Sequence, residues 1–292
     1  MSFAIVTDTS ANLPTPMLRA GDVGVIPFYY TMEGRELACL DTEQFDGPAY
    51  YDAMRNGMSV GTSQINPQGY IDCFTPLLAA GRDILFIGMS SGISGSYQSA
   101  QIAMAQLKES WPGRSLRMVD TLGASLGEGL LVLRAVKWRD EGLSLDEVTR
   151  RLLALRHSMC QIFMVDDLMF LKKTGRLSGA AALVGTMLQI KPLLMGNEKG
   201  QIVNYAKARG RRKAIEALAA RYDRQVTDAG EQLVGIAHAD CLQDAQTLAG
   251  LLRRNHPPKD ILTVMYAPVT GSHVGPGTLA LFFLGGEGVR EK

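Results

Sequence analysis

A glycine- and serine-rich segment at residues 88–96, Gly-Met-Ser-Ser-Gly-Ile-Ser-Gly-Ser, follows an apolar run and precedes a helical pattern. Its glycines let the backbone turn sharply and approach a ligand closely. Ser94 and Ser96 offer hydroxyl groups where the helix begins, and the first N–H groups of a helix lack intrahelical partners and favour negative charge. The segment therefore predicts an anion site, although the same serines would also serve as ordinary helix caps.

Three more sets of polar residues have a type and position suited to binding. Thr62 and Ser63 are short hydroxyl donors just before a second predicted helix. His273 stands in a Gly-Pro-Gly loop within the most apolar part of the chain, and Arg176 belongs to a basic turn that leads into an apolar stretch. Five of the seven residues at 207–213 are Lys or Arg, a run that is typical of a solvated face and, less often, of a docking patch.

The segment 88–92 also matches the G-x-S-x-G pattern of a hydrolase nucleophile elbow between a strand and a helix. With Asp240 and His273 further along the chain, Ser90 completes the order Ser, Asp, His of a serine esterase. Two observations weigh against this reading. No HGGG-type oxyanion loop precedes the segment, and the predicted helix starts at Ser94 or later, which leaves Ser90 too early to stand at the apex. The esterase is the alternative function that the sequence leaves open.

The composition excludes several classes of protein. With 30 basic and 29 acidic side chains among 292 residues, the net charge of +1 provides no strong field for attracting nucleic acid. The sequence contains no G-x-x-x-x-G-K-[ST] or G-x-G-x-x-G loop for a nucleotide, no H-E-x-x-H and no C-x-x-C pair. We therefore expect no cofactor, no metal and no nucleic-acid partner, and we expect the cysteines to be free thiols.

The sequence also bears on the compartment. The first residues, Met-Ser-Phe-Ala-Ile-Val-Thr-Asp, reach an acid too early for a signal peptide. The long uncharged stretch at 261–286 contains two prolines and five glycines, so we do not expect it to form one membrane-spanning helix. These features predict a cytoplasmic protein without a membrane span.

Short β-rich apolar runs recur along the chain, each ending in small polar residues. They lie at residues 3–6, 84–87, 116–119, 162–165, 233–237 and 261–266. In the first half they alternate with helical patterns, one of which, at 145–155, opens on a capping box formed by Ser144 and Glu147. Continuously apolar strands that alternate with helices predict a parallel sheet, in which function concentrates beyond the carboxyl ends of the strands.

The second half has a different pattern. It shows a helical stretch at 177–190 that ends at Lys191-Pro192, a strand near 202–205, and helices near 213–222 and 242–255. We predict two α/β domains, residues 1–157 with a mostly parallel sheet and residues 158–292 with a mixed sheet. Two such domains that face each other would leave a cleft for a ligand.

Taken in order, the polar motifs resemble those of the DegV family over nearly the whole chain. The motifs that carry the resemblance are Val6-Thr7-Asp8-Thr9-Ser10, Gly61-Thr62-Ser63-Gln64, residues 90–100, Asp120-Thr121, Gly175-Arg176, Lys191-Pro192 and His273-Val274-Gly275-Pro276-Gly277. Its specificity lies in the ordered combination, since each motif alone is weak. Ser96 and Thr121 differ from the residues that many members have there, and both keep a hydroxyl group.

The resemblance implies a fold of two α/β domains with a long-chain fatty acid in a tunnel between them. Some members of the family are the lipid-binding subunit of a bacterial fatty acid kinase and present the acyl carboxylate to a separate ATP-binding subunit. By this resemblance, Thr62 and Ser94 hold the carboxylate. The supporting positions are Ser63, Gly95, Ser96, His273 and Arg176, of which the last two stand near the head group or the kinase-facing surface.

A long acyl chain requires an apolar tunnel and a small polar mouth. Burial of about 14 methylenes at roughly 0.8 kcal/mol each gives about 11 kcal/mol before the costs of ordering the ligand. The carboxylate needs hydrogen bonds, because an unpaired charge in an apolar cleft is heavily penalised. We therefore expect micromolar to nanomolar binding of a fatty acid such as palmitate, by a chain with no catalytic activity of its own.

Overall fold

The apolar runs of the sequence form the strands of two main sheets in a computed structural model of the chain. The structure describes residues 3–178 and 190–291. It divides into a first unit, Met1–Phe45 with Val60–Arg156, and a second unit, Asp46–Ser59 with His157–Lys292.

Within the described residues the chain forms thirteen strands and ten α-helices. The strands are β1 Ala4–Asp8, β2 Val23–Ile26, β3 Tyr29–Met32, β4 Arg35–Ala38, β5 Gly61–Ser63, β6 Ile84–Gly88, β7 Leu116–Asp120, β8 Met159–Met164, β9 Ile190–Gly196, β10 Ile202–Arg209, β11 Leu233–His238, β12 Asp260–Met265 and β13 Leu279–Leu284. The helices are α1 Thr15–Ala20, α2 Gly47–Arg55, α3 Pro67–Ala79, α4 Ser96–Ser110, α5 Leu126–Asp140, α6 Leu145–Leu155, α7 Met169–Lys173, α8 Arg211–Gln225, α9 Leu242–Asn255 and α10 Pro268–Val274.

The main sheet of the first unit is parallel throughout, in the order β2-β1-β6-β7. All residues of β1 and β6 are buried, which agrees with the apolar runs at 3–6 and 84–87, and the polar Thr7 and Asp8 at the end of β1 are buried as well. Because β6 lies between β1 and β7, the loop that follows β6 is flanked by the ends of both neighbours. The predicted parallel sheet is confirmed.

A small antiparallel sheet, in the order β4-β3-β5, accompanies it. Its strands of three or four residues are too short to give a clear alternation of apolar and polar side chains, so they were not predicted from the sequence. The sheet matters for the site because Thr62 lies on β5 and pairs with Tyr30 on β3.

The second unit contains a six-stranded mixed sheet in the order β10-β9-β8-β13-β11-β12. Only β11 and β12 run parallel, and the other neighbours are antiparallel. Side chains of α8 and α9, such as Leu218 and Leu248, share one buried cluster with strand residues such as Ile162, Ile236 and Leu281. The predicted mixed sheet is confirmed.

The helix α2 belongs to the second unit, whereas its position in the sequence predicted that it would lie in the domain 1–157. The hydroxyl of Tyr50 donates to the carbonyl oxygen of Pro268 at 2.8 Å, and that of Tyr51 to the carbonyl oxygen of Tyr266 at 2.8 Å. Both tyrosines are buried. These contacts join residues more than 200 positions apart, and no local pattern in the sequence reports them.

The predictions made from local sequence patterns had different outcomes. The capping box is confirmed, since the Ser144 hydroxyl accepts the N–H of Glu147 at the start of α6. Of the helix predicted at 177–190, residues 179–189 lie outside the described residues, and Ile190 begins the strand β9 instead.

His273 lies in the last turn of α10 rather than in a loop, because Pro268 can begin a helix and Gly275 ends it at a φ of 79°. In the part of the chain that the structure covers, no helix is both long and apolar enough to cross a membrane.

Alanine substitution should change the free energy of unfolding in opposite directions at two helical glycines. Gly250 on α9 is exposed and has free space around it, so Gly250→Ala should raise the free energy of unfolding by about 0.5–1 kcal/mol. At Gly129 on α5, an added Cβ would lie 2.5 Å from the carbonyl oxygen of Ala11, so Gly129→Ala should lower that free energy by about 1–3 kcal/mol. Urea unfolding of the two variants measures both, and changes of the same sign would contradict the close packing of α5.

Candidate functional site

Residues 89–95 form the loop between β6 and α4, which we call the head-group loop, and an aspartate contacts it from either side. The N–H of Met89 donates to Asp8 at 3.2 Å, and Asp8 is the last residue of β1. The N–H and hydroxyl of Ser91 donate to Asp120, the last residue of β7, at 3.3 and 2.6 Å. Parallel strands end at the same edge of the sheet, so both carboxylates meet the loop that leaves from between them.

The turn after β7 adds a second contact to the start of this loop. Thr121 donates its hydroxyl to the carbonyl oxygen of Gly88 at 2.8 Å. In the same turn Leu122 and Ser125 both have a φ of 54°, a left-handed conformation that is uncommon for residues other than glycine. Side chains at the ends of the two strands that flank β6 thus determine the path of the loop, a role that no sequence pattern predicted for Asp8, Asp120 or Thr121.

Ser94 and Ser96 bond to each other at the start of α4. The Ser94 hydroxyl donates to Ser96 Oγ at 3.0 Å and accepts the N–H of Ser96 at 3.2 Å. The helix begins at Ser96, with Gly95 as its N-cap. In the structure, Ser94 therefore acts as a cap at the start of the helix. Binding of an anion by Ser94 stays a prediction, and it would require only that the Ser94 hydroxyl rotate toward the anion.

The segment at 61–65 contacts the end of the head-group loop. The N–H of Ile65 donates to Ser96 Oγ at 3.1 Å. The side-chain oxygen of Gln64 lies over the Cα of Gly95, in the space that a Cβ would need. The structure therefore brings the segment that carries Thr62 against the segment that carries Ser94, and glycine at position 95 permits the close approach.

The two hydroxyls on β5 do not share a face of their strand. Successive side chains of a strand point to opposite faces, so Thr62 and Ser63 point away from each other. Thr62 is half-buried and Ser63 is exposed. Carboxylate contact by Thr62 stays a prediction, and direct support from Ser63 on the same face does not follow from this geometry.

Ser90, the nucleophile of the alternative esterase, is fully buried. Its hydroxyl oxygen accepts the N–H of Gly92 at 3.1 Å, and its own N–H donates to the carbonyl oxygen of Gly123 at 2.8 Å. The helix α4 starts six residues later, so Ser90 does not stand at a strand-to-helix apex. In the second unit, the carboxylate of Asp240 is paired with Arg55 at 2.5 Å.

His273 and Arg176 lie close to each other in the second unit. The aromatic ring of Phe170 on α7 packs against Gly275, which follows α10, and this contact brings the turn after α7 beside His273. Burial, and secondarily the positive charge of Arg176, lower the pKa of His273 to about 4. The imidazole is therefore neutral at pH 7, and the positive charge of this pair resides on Arg176.

The loop after His273 is fixed by an ion-pair network. Arg211 donates to the carbonyl oxygen of Gly277 at 2.8 Å and pairs with Asp166 at 2.7 Å and Asp244 at 2.6 Å. Lys191 also pairs with Asp166, at 2.6 Å. One arginine of the basic run at 207–213 thus has a structural role in the unit, which neither a solvated face nor a docking patch describes.

The described ranges contain no group of three or more His, Cys, Asp or Glu side chains that could hold a metal ion. Cys39, Cys73, Cys160 and Cys241 are free thiols. The first unit offers hydroxyl and N–H donors, and the second unit separately offers a neutral imidazole and a guanidinium; each of these groups can bind an anion.

The first unit defines a class of protein: a parallel α/β domain that presents hydroxyl groups and a helix start at the carboxyl edge of its sheet, an arrangement suited to a small anionic group. A family model described as "Uncharacterised protein, DegV family" matches residues 2–285. The chain belongs to the DegV family, and the resemblance read from its motifs is confirmed.

Similar proteins match over nearly the full length. A DegV domain-containing protein from Clostridium perfringens is 38% identical over 283 residues, 97% of either chain. The structure of a DegV family protein from Thermus thermophilus, described by its fatty acid binding, is 30% identical, with a TM-score of 0.88 over 98% of this chain and 100% of its own. A fatty acid binding DegV family protein from Streptococcus agalactiae is also 30% identical, with a TM-score of 0.86 over 98% and 100% of the two chains.

Ser96 connects the two segments of the site, so its removal should be costly. The side chain is buried, and Ser96→Ala would leave the N–H of Ile65 and the hydroxyl of Ser94 without their acceptor. We expect a loss of about 1–3 kcal/mol in the free energy of unfolding. Ser110→Ala, at the exposed end of the same helix, is the matched control and should change it by less than about 0.5 kcal/mol. Equal effects in urea unfolding would show that the Ser96 contacts do not hold the site together.

Proposed function

We propose that this protein binds a long-chain fatty acid such as palmitate without reacting with it, and that the hydroxyls of Thr62 and Ser94 hold its carboxylate. The observation that carries the proposal is the contact between the two segments bearing these hydroxyls, at the start of a long helix. The relatives from Thermus thermophilus and Streptococcus agalactiae, described as binding fatty acid, support the choice of ligand.

Some hydrogen-bond donors of the head-group loop already bond to carboxylates of the protein, and this determines which donors can bind a ligand. The N–H groups of Met89 and Ser91 are taken by Asp8 and Asp120, so they serve the shape of the loop. The Ser94 hydroxyl donates its proton to the neutral hydroxyl of Ser96, and it can turn to donate that proton to a carboxylate, with which its hydrogen bond is stronger. Because the loop is already braced, little ordering is needed when the ligand binds.

The remaining parts of the proposal rest on the family resemblance. The acyl chain lies in an apolar tunnel, and the protein carries or presents the lipid in the cytoplasm, where the ATP-binding subunit of a fatty acid kinase is its proposed partner. His273 and Arg176 stand near the head group or face that partner. A neutral His273 would orient the carboxylate by hydrogen bonding, and Arg176 would supply the charge.

Removing both hydroxyls should release the lipid. In Thr62→Ala/Ser94→Ala, each lost hydrogen bond to the carboxylate should weaken binding by about 1.5–3 kcal/mol, which is roughly 10- to 100-fold per hydroxyl. Mass spectrometry of lipid retained by the purified protein measures the change. The control is Thr62→Ser/Ser94→Thr, which keeps both hydroxyls and should retain lipid. Undiminished retention with unchanged chain selectivity in the alanine variant would remove the role of these two residues.

The esterase alternative makes a different prediction. A fluorophosphonate probe should leave the protein unlabelled, because the Ser90 hydroxyl is buried and accepts a backbone hydrogen bond. Labelling is read by intact-protein mass spectrometry. Covalent labelling that Ser90→Ala abolishes would favour the esterase over the lipid carrier.

A further inference from the structure

The first unit contains two buried carboxyl groups, neither of which is predicted to touch the ligand. Asp8 ends β1 and is 1% exposed, and Glu128 lies in the first turn of α5 and is 0% exposed. In the described part of the chain, no Lys, Arg or His is hydrogen-bonded or ion-paired to either group. Two adjacent carboxylates without a cation would be very unfavourable in this position, so the location of a proton has to be part of the structure.

The contacts of Thr7 indicate which carboxyl group holds the proton. Its hydroxyl oxygen lies 2.8 Å from the carbonyl oxygen of Ile87 and 2.8 Å from Glu128 Oε1. A hydroxyl has one proton, and the carbonyl can only accept it. The second short contact is therefore best satisfied if Glu128 donates a proton to Thr7.

The other contacts agree with this assignment. Asp8 accepts two N–H groups, that of Ser10 at 2.9 Å and that of Met89 at 3.2 Å, and such bonds favour the ionised form. The Ser10 hydroxyl donates to Glu128 Oε2 at 2.5 Å, which the carbonyl oxygen of a neutral acid can accept. Glu128 thus has one oxygen that donates and one that accepts, whereas both oxygens of Asp8 accept.

Burial and the charge of Asp8 both favour the protonated form of Glu128. Burial, followed by the charge of Asp8, raises the pKa of Glu128 well above its ordinary value, and burial also raises the pKa of Asp8. From α3, the buried hydroxyl of Tyr70 faces both groups, and burial, followed by the charge of Asp8, raises its pKa, so Tyr70 stays uncharged. Cys73, also on α3, has a pKa raised to about 11 by burial and is uncharged as well. The dipole at the start of α5 favours an anion at Glu128, but it is opposed by full desolvation and by Asp8.

We propose that Glu128 is a neutral carboxylic acid and Asp8 a carboxylate, and that this pair positions the head-group loop through the Met89 N–H. Met89 is the first residue of that loop after β6, so the pair sets the direction in which the loop leaves the sheet. The effect on lipid binding rests on the function proposed above. The protonation states themselves do not depend on it.

The pair makes stability depend on pH with a definite sign. A glutamate in the unfolded chain loses its proton above about pH 4.3, whereas native Glu128 keeps its proton to a higher pH. Between these two pKa values the native state binds one more proton, so its stability falls as the pH rises. This group alone increases the unfolding equilibrium constant by about tenfold per pH unit over that window.

The glutamine variant tests the proton directly. In Glu128→Gln the amide NH2 can donate to Thr7 and the amide oxygen can accept from Ser10, so the neutral acid is mimicked. In lipid-free Glu128→Gln, the tenfold increase of the unfolding equilibrium constant per pH unit should disappear. The infrared band of a buried protonated carboxyl group should disappear as well. The exposed Glu109→Gln on α4 is the matched control and should keep both. A Glu128→Gln protein that keeps the wild-type slope or the band would overturn the assignment.

A second set of variants tests the positioning of the loop. Each oxygen of Asp8 accepts one N–H, so Asp8→Asn places an NH2 group opposite one of these donors. Glu128→Ala removes the contacts of Glu128 with Thr7 and Ser10. We expect both to reduce palmitate retention at least tenfold, while Glu128→Gln retains palmitate. If Asp8→Asn does not fold, the contrast between Glu128→Ala and Glu128→Gln decides the question.

The two measurements separate the possible failures. Equal palmitate retention by Glu128→Ala and the wild type would overturn the positioning role. Retention by neither protein would instead contradict the proposed function, and the lipid-free slope and infrared band would still test the proton. Wild-type stability and slope in Asp8→Asn would overturn the carboxylate assignment.

Discussion

The head-group loop has its shape because the carboxylates that end two strands accept the N–H groups of the loop that leaves the strand between them. Asp8 and Asp120 perform this role from either side, and they do so because β6 lies between β1 and β7. A loop rich in glycine and serine would otherwise sample many conformations. Strand order, side-chain charge and backbone donors therefore combine to give one defined start for α4.

The same constraint explains why nearby residues are small or polar. Gly95 permits Gln64 to lie against the backbone, and Ser96 accepts the N–H of Ile65. These contacts join the small antiparallel sheet to the edge of the parallel one. In the second unit the equivalent task falls to the ion pairs of Arg211 and Asp166 around Gly277, so each cluster of predicted site residues rests on charged groups that are not themselves predicted to touch the ligand.

The sequence predicted those parts of the fold that short, uniform patterns encode. Buried strands such as β1 and β6 read as apolar runs, and the cap at Ser144 follows a local rule. The assignment of α2, the strand β9 and the helical position of His273 depend on contacts with distant residues, which a single sequence does not display. For the site, the motifs located the hydroxyls, but the bracing by Asp8 became visible only once β1 and β6 were known to be neighbours.

Because α2 belongs to the second unit although the residues on both sides of it belong to the first, the second unit cannot fold until late in the synthesis of the chain. Tyr51 and its acceptor Tyr266 are 215 residues apart, which corresponds to about 10 to 40 seconds of translation at 5–20 residues per second. During that interval the aromatic face of α2 is synthesised but its partners are not. The second unit is therefore completed only after the first unit has been synthesised in full, and a nascent chain that holds all of the first unit still carries α2 without its later partners.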